Sequence, residues 1–296
     1  MNFFWLFALL APICFSASNL VDNHVLHKRL NDPVSYDVLT IWPTAPIAIV
    51  ILLAKRVSFA FDAWFVGGAV GFTFAFLVIL YCFAMMREQG TSVVSVIYTS
   101  PLFVAILAVL FLGERLSAIN YAGVLSLVAS AFLVLYKRVG TKNLALVLML
   151  VYALMSAVAR VVTKSALEDV DIWSYFFWFL VGGVAGSLVL AALRWPNLEK
   201  AIRRLDTATC LLICATTAFS TVGLVLLYSA FSLGSVTIAS GLTAISPTVL
   251  FLYSGALVRL HPGAIPPERI TGRGATARKM GAVLLIILGA LALTGA

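Results

Sequence analysis

The chain has 296 residues, of which 62% are hydrophobic and only 11% are charged, whereas an ordinary soluble domain has about 25% charged residues. The mean hydropathy of +1.07 indicates that most of the chain is suited to lipid rather than to water. The net charge is +8, and most of the basic residues lie in short loops between apolar runs, where they set membrane orientation. The composition therefore excludes an ordinary soluble domain, and the charge does not indicate a nucleic-acid partner.

Ten apolar runs follow one another, most of them close to the roughly 20 residues that a transmembrane helix needs. The last run is short, and its helix is expected to begin a few residues earlier. Backbone groups in hydrocarbon must pair within their own segment, so each run is predicted to be a helix. The first run lacks a preceding basic region and is predicted to be a retained helix rather than a signal peptide. The predicted spans are Phe3–Val21, Val38–Leu53, Ala63–Met85, Val93–Leu112, Ile119–Tyr136, Leu144–Val162, Ile172–Leu193, Cys210–Phe231, Val236–Leu257 and Met280–Leu293.

The second five runs repeat features of the first five. The segment Leu77–Tyr81 resembles Leu224–Tyr228, and each is followed about twenty residues later by a Ser-Pro pair. Five is an odd number, so the second unit must enter the membrane from the opposite face. The sequence thus predicts an all-α membrane protein with ten transmembrane helices, arranged as two inverted five-helix repeats over residues 1–138 and 143–296. Inverted repeats are typical of secondary transporters, whose substrate site lies where the halves meet.

Loop charge gives a predicted orientation. Fifteen of the 20 Lys and Arg residues fall in one set of alternate loops. Basic loops stay preferentially in the cytoplasm, so this count places both termini outside.

Charged residues inside a membrane usually mark function. Asp22 is predicted to end the first helix, with Asn19 one turn earlier on the same face. These two residues are candidates to bind substrate or a proton at a cavity mouth, and simple solvation of a helix end is the alternative. Arg160 and Lys164 are predicted to end the sixth helix on the opposite side of the bilayer and to contact lipid headgroups.

Prolines and hydroxyl side chains suggest a path and a hinge. Proline removes a backbone hydrogen bond and kinks a helix. The paired Ser-Pro positions are therefore a candidate hinge, with ordinary packing kinks as the alternative. The glycines of the third and seventh runs are predicted to allow close helix packing. The candidate path or hinge residues are Asn19, Asp22, Tyr81, Tyr98, Ser100, Pro101, Tyr228, Ser240, Thr243, Ser246 and Pro247.

One motif connects the chain to a known family. Pro101, the segment Phe111–Leu116 with its Gly-Glu-Arg-Leu turn, and Gly123 resemble the ten-helix EamA-type branch of the drug/metabolite transporter superfamily. Glu114 of this turn is predicted to act locally, by capping the helix that follows or by pairing nearby, and coupling of transport is the alternative. In the second half, Leu257–Leu260 has no glutamate. The resemblance implies a carrier for small organic molecules, and many such members have both termini in the cytoplasm, contrary to the loop count.

These patterns predict a multi-pass protein of the cell membrane, either a plasma membrane or a bacterial or archaeal inner membrane. Its expected function is export or exchange of a small organic metabolite by alternating access. A proton or counter-substrate as coupling partner and a homodimer are left open. No enzyme signature, cofactor or metal site is predicted. The alternatives are a membrane enzyme acting on a lipid-linked substrate and a non-transporting sensor on the same scaffold.

Overall fold

The structure is a computed structural model that describes residues 3–87, 93, 96–97, 99–135, 144–260, 281, 284–286, 288–289 and 291–293. The described residues form helices and connecting turns without a β-strand. In the first half the helices are α1 (Phe3–Lys28), α2 (Pro33–Ile41), α3 (Thr44–Ala54), α4 (Gly68–Arg87, preceded by a π-helical turn at Asp62–Gly67), α5 (Ser100–Leu107, continued by a π-helical turn at Ala108–Leu112) and α6 (Ala118–Leu135). In the second half they are α7 (Leu144–Asp169), α8 (Ile172–Leu193), α9 (Trp195–Arg203), α10 (Thr207–Leu233), α11 (Val236–Thr243) and α12 (Ser246–Leu260).

The described part contains seven helical segments that are long and apolar enough to cross a membrane. Shorter apolar helices cover Ser100–Leu112, Ala118–Ser130 and Leu284–Leu293. The outer surface is apolar, with side chains such as Leu53 at 82% exposure and Phe111 at 74%. An outer surface of this kind is costly in water and is suited to lipid contact.

Several helix boundaries differ from the prediction. Helices α1 and α7, which correspond to the first and sixth predicted spans, extend to Lys28 and Asp169. Asp22 and Arg160 therefore lie within helices rather than at their ends. The prediction stopped at the first polar cluster, because a hydropathy pattern cannot register polar side chains that pair inside the protein. The amphipathic helix α9, which follows the predicted seventh span, was not predicted.

Two predicted spans are each divided by a short turn. The second is interrupted at Trp42–Pro43, between α2 and α3, and the ninth at Ala244–Ile245, between α11 and α12. Pro247 lies in the first turn of α12, and Pro101 lies in the first turn of α5. Proline is favoured there because N–H groups of the first turn have no acceptor within the helix, so a residue without an N–H loses no hydrogen bond. These prolines therefore begin helices rather than kinking continuous ones.

The two halves interlock. Helix α1 packs against α10, α11 and α12 of the second half, and α7 packs against α4 and α5 of the first half. The first helix of each half thus lies against the third and fourth predicted spans of the other half. This arrangement brings residues from both halves into the middle of the protein.

Helices α4 and α8 approach each other at glycines, as predicted for these runs. A Cβ atom on Gly71 would collide with the backbone carbonyl of Phe179, and one on Gly182 would collide with the backbone of Gly68. Small residues let helix backbones approach closely, which strengthens van der Waals contact inside a membrane. The close packing of α4 on α8 therefore depends on the absence of side chains at these two positions.

The Gly71→Ala variant is expected to unfold more easily, because the added methyl group must push α8 away. Overpacking of this kind costs about 1–3 kcal/mol, which thermal unfolding in detergent should detect. Gly68→Ala is the matched control on the same helix, since its Cβ atom would lie 3.9 Å from the Trp178 carbonyl, an ordinary contact. Equal melting temperatures for the two variants would contradict this account of the packing.

Glu114 caps a helix of the other half. It follows Gly113, whose positive φ of 64° ends the π-helical turn. Its Oε1 accepts a hydrogen bond from the Val236 amide at 2.8 Å, and its Oε2 accepts from the hydroxyls of Ser235 at 3.0 Å and Thr237 at 2.7 Å. A carboxylate at a helix N-terminus satisfies free amides and meets the positive end of the helix dipole. The prediction that Glu114 acts locally is therefore wrong, because its partners begin α11 across the molecule.

The Glu114→Gln variant should lower the free energy of unfolding by about 1–2 kcal/mol, the usual range for losing a charged helix cap. Thermal unfolding in detergent is the measurement. Arg115→Gln, at the exposed next residue, changes a charge without touching the cap and should unfold like the wild type. A Glu114→Gln variant as stable as Arg115→Gln would exclude the capping role.

Candidate functional site

A cavity of about 220 Å³ lies between helices of the two halves. Its polar wall includes Asn19 and Asp22 of α1, Tyr36 and Asp37 of α2, Tyr81 of α4, Arg160 of α7 and Thr216 of α10. Its apolar wall combines aliphatic side chains with the aromatic residues Phe15, Phe74, Tyr152, Phe179 and Tyr228. Pockets that combine a mostly apolar wall with a few polar groups are typical ligand sites.

Asp22 is the centre of a hydrogen-bonded cluster, here called the Asp22 cluster, with Tyr36, Tyr81 and Thr216. The Asp22 side chain is buried, and its Oδ1 accepts hydrogen bonds from Tyr36 and Thr216, each at 2.5 Å. Its Oδ2 accepts from the Tyr81 hydroxyl at 2.9 Å. Hydroxyl donors of this kind replace the water that a buried carboxylate has lost. The cluster therefore joins α1, α2, α4 and α10 around one carboxylate.

Other hydroxyls extend this polar contact between the halves. The Tyr81 hydroxyl also lies 2.9 Å from Asn19 Oδ1, and Ser18 Oγ lies 2.8 Å from Thr216 Oγ1. The neighbouring Thr217 donates to the backbone carbonyl of Thr40 at 2.7 Å. Helix α10 is thus attached to both α1 and α2 at this level of the membrane.

Asp37 lies in the same cavity and is bonded differently. Its side chain is 0% exposed, yet neither carboxylate oxygen has a hydrogen-bond partner among the described residues. Buried polar groups are nearly always hydrogen-bonded, and a buried charge without a partner is costly. Among the described residues, no donor forms a hydrogen bond with the Asp37 carboxylate, although it lines the cavity.

Arg160 lines the cavity as well, which corrects the prediction that it lies apart from Asp22 among lipid headgroups. Its Nη1 donates to Thr243 Oγ1 at 3.2 Å, beside the break between α11 and α12. The prediction relied on the two residues ending their helices on opposite faces. Both helices are longer than predicted, so both side chains project into the middle of the molecule.

The predicted path residues fall into three groups. Asn19, Asp22, Tyr81 and Tyr228 line the cavity, and Tyr98 lies outside the described residues. The others are buried at or near the helix breaks, outside the described lining: Ser100, Pro101, Ser240, Thr243, Ser246 and Pro247. Ser246 Oγ donates to the Pro12 carbonyl at 3.2 Å, which attaches the break before α12 to α1.

Tyr36 and Asp37 were missed because the predicted second span began at Val38. A repeated motif could have identified them. The segment Asp32–Tyr36 reads Asp-Pro-Val-Ser-Tyr, and Asp171–Tyr175 reads Asp-Ile-Trp-Ser-Tyr. Each aspartate accepts a hydrogen bond from the amide of the serine three residues later.

The repeated motif starts matching helices and buries matching tyrosines. Asp32 caps the N-terminus of α2, and Asp171 caps that of α8. Tyr175 then bonds Thr163 of α7 at 2.7 Å and meets the Tyr228 ring edge-on at 5.8 Å. Thr163, Tyr175 and Tyr228, here called the Thr163 cluster, correspond in sequence position within their halves to Asp22, Tyr36 and Tyr81.

Residues 3–136 match the EamA-like transporter family. That family is part of the drug/metabolite transporter superfamily, so the first half of the chain carries the match to this superfamily. A sequence search finds no match among curated proteins. One solved crystal structure superposes with a TM-score of 0.72 over 98% of this chain and 96% of that chain, at 19% sequence identity. At this identity the superposition establishes the fold alone.

The EamA-like match and the apolar helices together make the chain a multi-pass integral membrane protein. The family also indicates a membrane transporter of the drug/metabolite type. The family match lies in the first half, which supplies Asp22, Tyr36, Asp37 and Tyr81 to the cavity. The superposition covers both halves, so both halves share the fold of that solved structure.

The Asp22→Asn variant is expected to lower the free energy of unfolding. An amide has one acceptor oxygen in place of two and no charge, so at least one hydroxyl can no longer donate to residue 22, at a cost of about 1–3 kcal/mol. Thr216→Val removes one donor from the same cluster, so the two changes should be non-additive in a double-mutant cycle. Thermal unfolding in detergent measures each variant.

Asp169→Asn, at the exposed end of α7, is the control that removes a carboxylate without disturbing the cluster. Additive effects of Asp22→Asn and Thr216→Val would show that the two side chains do not interact in the membrane-protein fold.

Proposed function

We propose that this EamA-like protein is a ten-span secondary transporter whose two inverted halves move a small organic metabolite through the central cavity by alternating access. The observation that carries the proposal is that one buried cavity between the halves takes polar residues from both, at the Asp22 cluster and Arg160. Transporters with inverted repeats hold substrate between the halves near the bilayer midplane.

Contacts at the helix ends support ten alternating spans. Arg29, just after α1, pairs with Asp206, just before α10, at 3.0 Å. Hydrogen bonds from the Thr209 side chain and amide, together with Arg29, keep the pKa of Asp206 below its usual range. Ten alternating spans require the first span to end on the face where the eighth begins, and this ion pair meets that requirement.

Two further contacts fit the opposite face. The Ser58 amide donates to the Ser174 hydroxyl at 2.8 Å, which joins the start of the third span to the start of the seventh. Glu114 joins the end of the fourth span to the start of the ninth. In a ten-span chain all four of these helix ends share one face. The second five-span unit then enters the membrane from the face opposite to the first.

The repeated clusters support the inverted relation. The Asp22 cluster lies toward the C-terminal end of α1, and the Thr163 cluster lies at the corresponding level of α7. If the halves are inverted, these levels lie on opposite sides of the membrane centre. Each cluster would then close one end of the path, which is the arrangement that alternating access needs.

Cavity size favours a small substrate. A volume of about 220 Å³ is below the roughly 300–1,000 Å³ of pockets that hold drug-sized ligands. The cavity therefore suits a metabolite of modest size. In this proposal the breaks before α5 and α12, with Pro101 and Pro247, are the hinges about which the surrounding helices tilt.

Reconstitution into liposomes tests the proposal, with counterflow of labelled amines, amino acids, sugars and organic acids as the measurement. Gly183→Leu should reduce flux at least tenfold, because Gly183 lines the cavity and the added side chain occupies it. Gly255→Leu is the matched control, since a Cβ atom there would meet nothing within 4 Å. This variant should transport like the wild type.

The same measurement separates the alternatives. No flux above protein-free liposomes for any of these classes would favour the sensor or the membrane enzyme. Flux that survives in Gly183→Leu would mean that the substrate does not pass through this cavity.

A further inference from the structure

We propose that Asp37 binds the protonated amino group of the transported molecule, so that the substrate is a small organic amine carrying one cationic group. This inference rests on the proposed transport function and specifies its substrate class. It starts from the difference between the two carboxylates of the cavity. Asp22 and Asp37 both line it, but only Asp22 has its oxygens occupied by protein donors.

The Asp22 carboxylate is already committed. Three hydroxyls donate to it, and it joins helices of both halves. A ligand at Asp22 would have to share a carboxylate that already accepts three hydrogen bonds between helices. Asp22 therefore positions Tyr36, Tyr81 and Thr216 and is a poor choice for the ligand-binding carboxylate.

Asp37 has the opposite properties. It is fully buried, lines the cavity and has two unpartnered oxygens in the described protein. A buried charge is tolerated when it pairs with an opposite charge and forms hydrogen bonds. A protonated amine supplies one positive charge and up to three N–H donors, so it can satisfy both oxygens of Asp37 at once.

The repeat shows that packing does not require an acid at this position. Asp37 directly follows the tyrosine of the first repeated motif, and Phe176 directly follows that of the second. Phe176 is also fully buried, where its ring stacks on Phe179 with a centroid distance of 6.0 Å. The second half fills the position with an apolar ring. The first half instead places a carboxylate against the cavity, which points to a role in recognition.

The rest of the wall limits the ligand further. Aromatic side chains such as Phe74 and Tyr152 form part of the cavity wall, and aromatic faces attract organic cations. Arg160 adds a positive charge to the same wall, and this charge disfavours a second cationic group on the ligand. The cavity therefore suits a molecule with one amino group near Asp37 and a neutral or anionic remainder toward Arg160.

Binding to the purified full-length chain in detergent tests this assignment by isothermal titration calorimetry. The probes are 2-phenylethylamine and two compounds of similar size, the neutral 2-phenylethanol and the anionic phenylacetate. The wild type should bind the amine at least tenfold more tightly than either analogue. Asp37→Asn should abolish this preference, because the amide keeps the shape of the side chain and loses its charge.

Two variants control for folding and for general charge effects. Asp37→Glu keeps the carboxylate and should keep the preference for the amine. Asp169→Asn removes an exposed carboxylate and should bind as the wild type does. A wild type with no preference for the amine, or with no measurable binding of it, overturns the proposal. So does an undiminished preference in a monodisperse Asp37→Asn variant.

Liposome flux distinguishes failure of this inference from failure of the transport function. Binding that prefers the amine and depends on Asp37, in a protein that transports no compound, would retain the amine site and reject the transporter. Flux of another substrate class that is blocked by Gly183→Leu, in a protein without amine preference, would retain the transporter and reject the assignment of Asp37.

Discussion

A buried carboxylate organises the centre of this protein. Asp22 lies within a membrane helix, where water cannot solvate it, and its charge must be met by donors on neighbouring helices. Tyr36, Tyr81 and Thr216 supply them from α2, α4 and α10. Thr216 belongs to the second half, so the solvation of one side chain attaches the two halves to each other and shapes the polar wall of the cavity.

The two halves share a plan but differ in charge. Each has an aspartate cap, a buried tyrosine four residues later, and a second tyrosine on its third predicted span. The first half joins its tyrosines through Asp22, whereas in the second half the hydroxyl of Thr163 bonds Tyr175. Carboxylates of the cavity thus come from the first half and the guanidinium of Arg160 from the second. The charged residues of the cavity are thus divided by sign between the two halves of the chain.

Contacts between the halves are of two physical kinds. Helices α4 and α8 meet backbone to backbone at Gly71 and Gly182, and such packing has little room to deform. Near the helix ends the contacts are polar and few, as at Glu114 on α11 and Arg29 on Asp206. Polar contacts near the helix ends can be exchanged for water more readily than the backbone contact at the glycines. This contrast fits the alternating access proposed above.

Sequence alone determined the membrane environment, the apolar helices, the glycine packing and the family resemblance of the first half, because apolar periodicity and the motif around Glu114 are local signals. It also identified Asn19, Asp22, Tyr81 and Tyr228, which line the cavity. Only the tertiary structure revealed Asp37, the true position of Arg160 and the partner of Glu114. These depend on where helices continue through polar residues and on which distant helices face them. A hydropathy pattern records the polarity of a side chain, but its partners and burial are set by contacts between residues far apart in the chain.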